Sequence, residues 1–511
     1  MLLAILDVLA FLAVCHVIGT AILLAVRVNV RGIVPPSALI GCAALGVQLW
    51  AFGFAHIPWN VFTLMLPWVA VWIVLRRSLR QNLQLQITSA WALAGRLRDV
   101  DPLGGLLIAV AALLLVAYAL NGILHPAIGW DAIAFWYFKA RLFFVDQHVD
   151  PASPALASIP HLLVVRNQEY PPLYPLMLAS TFVLSGRVNE SLSNSINLLA
   201  LIAAVPTMYS LLRRLVSSRL AIVFVFLLVA MTTQATYRYF IDGGYYGHAD
   251  YLEAIWILLT LIYLQAGQVP FPARGGALGQ VPSAARGEGL GWGQYGAADV
   301  MAVACAAGAA LTKDEGTPLL LVTLVVLIVR YAWRWSRLRE KPARRNIAIA
   351  VVCVLPVVIW HLTWSLASIR PLMLNQHPLS LLPHLPSRAA TIARYVAGMV
   401  GRRNTHGWMA LSLLMSLLLL ALNRFRIGAT IAVVFAVQAL AYFTVYLFTP
   451  IDLTEHLSES ADRVILQLAP SVILLLAVSL APNLRPSEDK GDTANLTGTL
   501  RADRPVVAGF D

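Results

Sequence analysis

Leu103-GGLLIAVAALLLVAYALNG-Ile123 carries no charged side chain, and Gly129-WDAIAFWYFKA-Arg141 follows it almost at once. At 1.5 Å per residue the first run crosses a hydrocarbon core of about 30 Å. The second is aromatic and charged, as chain at a membrane edge is. Reading this junction as a span that opens into an outer loop decides the fold, because similar apolar runs recur from one end of the chain to the other. We place about thirteen spans, near 2–26, 36–55, 59–76, 103–123, 191–212, 219–239, 248–266, 298–313, 317–334, 346–367, 406–422, 428–448 and 463–481.

Composition agrees with an all-α polytopic membrane protein. Of 511 residues, 59% are hydrophobic and 12% are charged, and mean hydropathy is +0.74. A soluble domain is about 25% charged. No long strand-period alternation is present, which argues against a β-barrel. The first run lacks a basic start and a small-residue cleavage site, so it reads as a retained span. Cys15, Cys42, Cys305 and Cys353 sit inside apolar runs without metal or redox spacing, and are expected as buried thiols. Three units follow: a three-span extension (1–102), a membrane core (103–481) and a polar, disordered cytoplasmic tail (482–511). The Gly-, Pro- and Ala-rich segment 267–297 reads as a linker.

The net charge of +12 belongs to span-flanking basic residues and does not call for nucleic acid. Arg27, Arg31, Arg76, Arg77, Arg80, Arg96, Arg98, Arg213, Arg214, Arg219, the Arg330–Arg345 cluster, Arg424 and Arg426 all fall on one side if the N-terminus is outside. More than half of the acids lie toward the other side. This consistency requires Leu173–Leu184 to be a juxtamembrane or re-entrant helix, since a crossing there would flip every later basic cluster. The amphipathic stretch Ser387–Arg403 is expected on the outer surface with Arg388, Arg394, Arg402 and Arg403 at the headgroups.

Ionisable groups at membrane depth are costly and mark function. Four outer segments carry them. Asp131 opens the first loop, with Lys139 about two helical turns on, and a carboxylate there can act as general base toward an acceptor hydroxyl. The competing reading is a cap or an ion pair with Lys139 or Arg141. Glu169-YPPLY-Pro175 holds a glutamate ahead of two rigid prolines. Tyr237-RYFIDGGYYGHADYL-Glu253 is dense in aromatics; it includes Arg238 and His248, and places Asp250 and Glu253 one turn apart on one helix face. These acids suit a sugar, Arg238 or a divalent cation. Thr312-KDEGT-Pro318 offers Lys313 to a phosphate or, equally, to its own acids. His456, Asp462 and Arg463 add a further cluster. Lys139, Arg238, Lys313 and Arg463 are the cations available to a phosphate leaving group. No Walker loop, zinc signature, catalytic triad spacing or dinucleotide fingerprint is present, which favours a lipid-linked donor over a nucleotide sugar.

At these residues the chain resembles the type-C membrane glycosyltransferases, closest to the branch of protein O-mannosyltransferases and lipid A aminoarabinose transferases. Asp131 resembles the family's acid after its first core span. Glu169-Tyr170-Pro171-Pro172-Leu173 resembles its Glu-Lys-Pro-Pro-Leu element, with Tyr170 in place of the lysine. Asp250 resembles an acid at the head of a later span, and Thr312-Lys313 a Thr-Lys-Gly turn. Departures are Ala132 after Asp131, the three preceding spans, and the lack of a folded lumenal domain.

The resemblance implies a type-C bundle and inverting transfer of a sugar from a polyprenyl-phosphate donor to a lipid or cell-envelope glycan. This would occur on the periplasmic face of a bacterial-type plasma membrane, with no cofactor required. Asp131 and Glu169 would be catalytic. Asp250, Glu253, Lys139, Arg238, Lys313, Tyr170, His248 and Arg463 would hold substrate. Two alternatives stay open: a lipid or glycan flippase, and an O-antigen ligase or polymerase type of enzyme.

Overall fold

The computed structural model describes residues 2–28, 30, 33–96, 100–125, 132–149, 170–241, 249–268, 292–338, 343–366, 378–401, 405–423 and 428–481. Four helices come first: α1 (Leu2–Ala25), α2 (Ser37–Phe54), α3 (Val61–Arg96) and α4 (Pro102–Leu124). A π-helical turn, Ala132–Tyr137, leads into α5 (Phe138–Asp146), and α6 (Leu173–Ser185) follows. Next come α7 (Glu190–Leu215), α8 (Ser218–Ile241), α9 (Ala249–Ala266), α10 (Trp292–Thr312), α11 (Gly316–Leu338) and α12 (Arg344–Leu366). A 3-10 turn, Pro378–His384, precedes α13 (Leu385–Gly401), α14 (Thr405–Leu422), α15 (Ala429–Phe448), α16 (Leu453–Gln467) and α17 (Ala469–Leu480).

No strand occurs among the described residues. Ten helices among them are long and apolar enough to cross a membrane, or eleven if the bent pair 380–401 and 406–422 counts as one span. The chain is thus a helical, multi-pass integral membrane protein. Each expected apolar run falls on helix. The described apolar parts of α8 (Ser218–Thr233) and α10 (Gly296–Thr312) are short, and α14 joins α13 at a bend of 101°. Helix α3 runs far past residue 76, because helical hydrogen bonding continues through polar chain that no longer needs the bilayer.

The interior is built around α9, whose 18 residues are all buried. It packs against α7, α10, α11, α15, α16 and α17. Large apolar side chains stay exposed along α3 (Leu66, Trp72, Val74), α11 (Leu321, Val325, Ile328), α12 (Val351, Val352, Leu355) and α14 (Leu411, Leu414, Leu418). These outward faces are what a lipid environment requires. The extension is anchored by α1 and α2, which cross main chain to main chain. A Cβ on Gly19 would lie 1.8 Å from the Ser37 carbonyl oxygen, and one on Gly41 1.9 Å from that of Cys15. Small residues permit such contact between membrane helices.

Helix α6 has 13 residues, about 20 Å of helix, too short to cross. Residues Leu173–Val183 are all buried, so the expected juxtamembrane helix is tucked into the bundle and packs on α2, α5 and α7. Arg388 of α13 has partners within the bundle: its guanidinium donates to the carbonyls of Tyr446, Leu447 and Thr449 at 3.1, 2.8 and 2.8 Å. These carbonyls end α15 and lack helical donors.

Candidate functional site

The head of α9 carries the densest buried charge. Asp250 and Glu253 lie on one face, as their spacing predicts, and both turn toward Lys313. The Lys313 ammonium is 2.7 Å from Asp250 Oδ1, 3.1 Å from Glu315 Oε1 and 3.9 Å from Glu253 Oε2. Lys313 reaches them because the turn between α10 and α11 is very tight. A Cβ on Gly316 would stand 2.2 Å from the Ala309 carbonyl carbon, so only glycine lets α11 start that close to α10. Backbone bonds from Gly316 N to Lys313 O and from Thr317 N to Asp314 O close the turn.

Helix α16 supplies the opposite side. Arg463 Nη1 lies 3.7 Å from Asp250 Oδ2. Gln467, one turn on, donates from Nε2 to Asp250 Oδ1 at 2.5 Å and accepts the Tyr442 hydroxyl proton at Oε1, also at 2.5 Å. Tyr442 is 3.5 Å from Glu253 Oε1. Gln438, one turn earlier on α15, donates to the Glu315 carbonyl at 2.7 Å. Three carboxylates therefore face two cations in a site where Glu253 is fully buried. Unpaired charge would be strongly disfavoured there. Arg463 is the cation nearest solvent, with 23% of its side chain exposed against 8% for Lys313.

The segments around Trp136 and Tyr170 reach the same place. Tyr170 packs against Trp136 with ring centroids 5.3 Å apart and planes tilted by 36°. The ammonium groups of Lys139 and Lys313 stand 5.9 and 5.8 Å from its centroid, within cation–π range. Tyr170 thus gathers two lysines from distant parts of the chain. Tyr137 donates to Asn194 Oδ1 at 2.5 Å, and Asn194 Nδ2 donates to the carbonyls of Gly122 and His125 at 2.9 and 3.0 Å. Burial pushes the Tyr137 phenol well above its usual range. Arg141 pairs with Glu190.

Of the expected site residues, Asp250, Glu253, Lys313, Arg463, Tyr170 and Lys139 come together. Asp131, Glu169 and His248, and the side chain of Arg238, lie outside the described residues. The Asp250–Glu253 pair, considered for a divalent cation, faces the Lys313 ammonium instead. No group of three His, Cys, Asp or Glu side chains among the described residues is placed to hold a metal. His456 bonds Thr449 Oγ1 at 2.9 Å and packs at a tilt against the Tyr446 ring, and Asp462 faces His406 at 3.5 Å. Sequence reading missed Gln467, Tyr442 and Asn194, uncharged residues without a motif. The one available signal was the four-residue step from Arg463 to Gln467.

No family model, curated protein or solved structure matches this chain. The function has to be argued from the site.

Proposed function

We propose that the protein is a membrane glycosyltransferase of the type-C kind. It moves a sugar from a polyprenyl-phosphate donor to a lipid or envelope-glycan acceptor on the outer face of a bacterial-type plasma membrane. In this reading about thirteen spans place the N-terminus outside. The observation that carries it is convergence. Segments around 136–139, 170–174, 250–253, 313–315 and 463–467, far apart in sequence, meet at one end of the bundle. The acid-bearing loops flank that end in sequence, Asp131 one residue before the Ala132 turn and Glu169 beside Tyr170.

The acceptor oxygen bonds to the anomeric carbon as the bond from that carbon to the phosphate oxygen breaks. The acceptor proton passes to Asp131, and polyprenyl phosphate leaves. Charge growing on the phosphate is met by Arg463, Lys139 and Lys313, with Arg238 as a further cation. Asp250 and Glu253 hold sugar hydroxyls around the Lys313 centre, and Glu169 orients the acceptor.

The flippase alternative needs charge along a path through the bilayer. Helix α9 has no Asp, Glu, Lys, Arg or His from residue 254 to 266. The next buried pair, Asp299–Arg330, sits at its far end, where Arg330 also bonds the Leu264 carbonyl at 3.3 Å. Charge at two ends with an apolar shaft between favours chemistry at a surface. The test is transfer from a panel of radiolabelled polyprenyl-phosphate sugars in proteoliposomes. Asp131→Asn should lower transfer about 10²–10⁴-fold, the range of general-base catalysis, with expression unchanged. Full activity removes Asp131 from the mechanism.

A further inference from the structure

We infer that Gln467 is a positioning residue that holds the Asp250 carboxylate ionised and aimed, with Tyr442 fixing the direction of its amide. The functional use of Asp250 rests on the glycosyltransferase reading; the positioning does not.

A phenol has one proton to donate. Tyr442 stands 2.5 Å from Gln467 Oε1 and 3.5 Å from Glu253 Oε1, so the proton lies on the shorter contact. That makes Oε1 the acceptor end and turns Nε2, which only donates, onto Asp250 Oδ1. The reversed amide would set two oxygens against each other at a buried carboxylate.

One helix then grips both oxygens of Asp250. Gln467 and Arg463 are four residues apart on α16, on one face. Gln467 takes Oδ1 together with Lys313, and Arg463 faces Oδ2. Among the described residues, the titratable groups around Asp250 include Lys313 from the α10–α11 turn, the carboxyls of Glu315 beside it and Glu253 on α9, Arg463 on α16 and the Tyr174 phenol on α6. The two carboxyls oppose ionisation of Asp250. A neutral donor on Oδ1 favours the carboxylate without adding charge. Gln467 is 2% exposed, so its hydrogen bond acts in a medium where such bonds count for more.

The test uses the full-length protein in proteoliposomes. Dicyclohexylcarbodiimide, an apolar reagent, modifies protonated carboxyls, and tandem mass spectrometry separates Asp250 from Glu253. The pH midpoint of Asp250 labelling is compared in wild type, Gln467→Met and Tyr442→Phe, with Asp250→Asn as blank. The Met variant keeps side-chain volume and loses both polar ends. Its midpoint should rise by about one pH unit, with a smaller rise for Tyr442→Phe. A side chain that only fills space would leave the midpoint in place. An unchanged midpoint in Gln467→Met overturns the inference. If that variant does not fold, Tyr442→Phe, which removes one hydroxyl, carries the test, and no shift there overturns it equally. Sugar transfer is measured in parallel. If Gln467→Met moves the midpoint while wild type transfers no sugar from any donor, the positioning stands and the glycosyltransferase reading falls.

Discussion

Replacing Lys313 with Met asks whether the charge cluster holds its end of the bundle together. The ammonium has three carboxylate neighbours at 2.7, 3.1 and 3.9 Å. With an effective dielectric of about 20, their summed attraction is on the order of 15 kcal/mol. Desolvation of the four ions cancels most of that. What survives is the penalty for leaving buried acids without their cation, about 3–5 kcal/mol when one partner of a buried pair is removed. Among the described residues, Lys313→Met leaves three acids with one nearby cation, Arg463, which pairs with Asp250. Adding Asp250→Asn to it restores the original balance. Denaturant unfolding in mixed micelles, followed by tryptophan fluorescence, should show the single variant destabilised by about 3–5 kcal/mol. The double variant should recover about 1–3 kcal/mol of that, the usual scale of coupling between touching residues. A Lys313→Met protein within about 0.5 kcal/mol of wild type, or a double variant weaker than the single, would refute the electrostatic reasoning, since surface-like sites give changes that small.

Two further substitutions compare a partly buried charge that bonds helix-end carbonyls with an exposed ion pair. Arg388→Met removes a charged donor from three carbonyls at the end of α15 and should cost about 1.5–3 kcal/mol in the same unfolding assay. Arg141→Ala breaks a pair with Glu190 whose side chains are 46% and 29% exposed. It should cost under about 1 kcal/mol, and a loss above 2 kcal/mol would show the pair acting as a buried one.

The spans were legible because the bilayer imposes a length and a composition on any helix that crosses it. Leu103–Ile123 sits inside α4, Pro102–Leu124, with little disagreement at either end. The rule weakens where the solvent changes. Nothing in a hydropathy pattern says that α3 should continue to Arg96, since a helix outside the bilayer needs no apolar surface. The short apolar run at 173–184 was rightly seen as too short to cross, yet its burial depends on α2, α5 and α7 closing around it. At the site, the shared face of Asp250 and Glu253 follows from helix period alone. Their meeting with Lys313 does not, because it depends on how α10 folds back at Gly316. Gln467 and Tyr442 had no charge to flag them, and their importance exists only once α15 and α16 stand beside α9. The partners of Arg388 were hidden for a related reason: an amphipathic pattern says which residues are polar, not that three helix-end carbonyls will receive one of them.

That last contact has an electrical consequence. A helix terminus with bare carbonyls presents roughly half a negative charge, and α15 ends close to His456 and Thr449 on the candidate side of the molecule. With a guanidinium tied across it, the local field there no longer repels anions. On the proposed glycosyltransferase reading, a donor phosphate approaching that end would meet neutral ground, and its capture would fall to Lys313, Lys139 and Arg463.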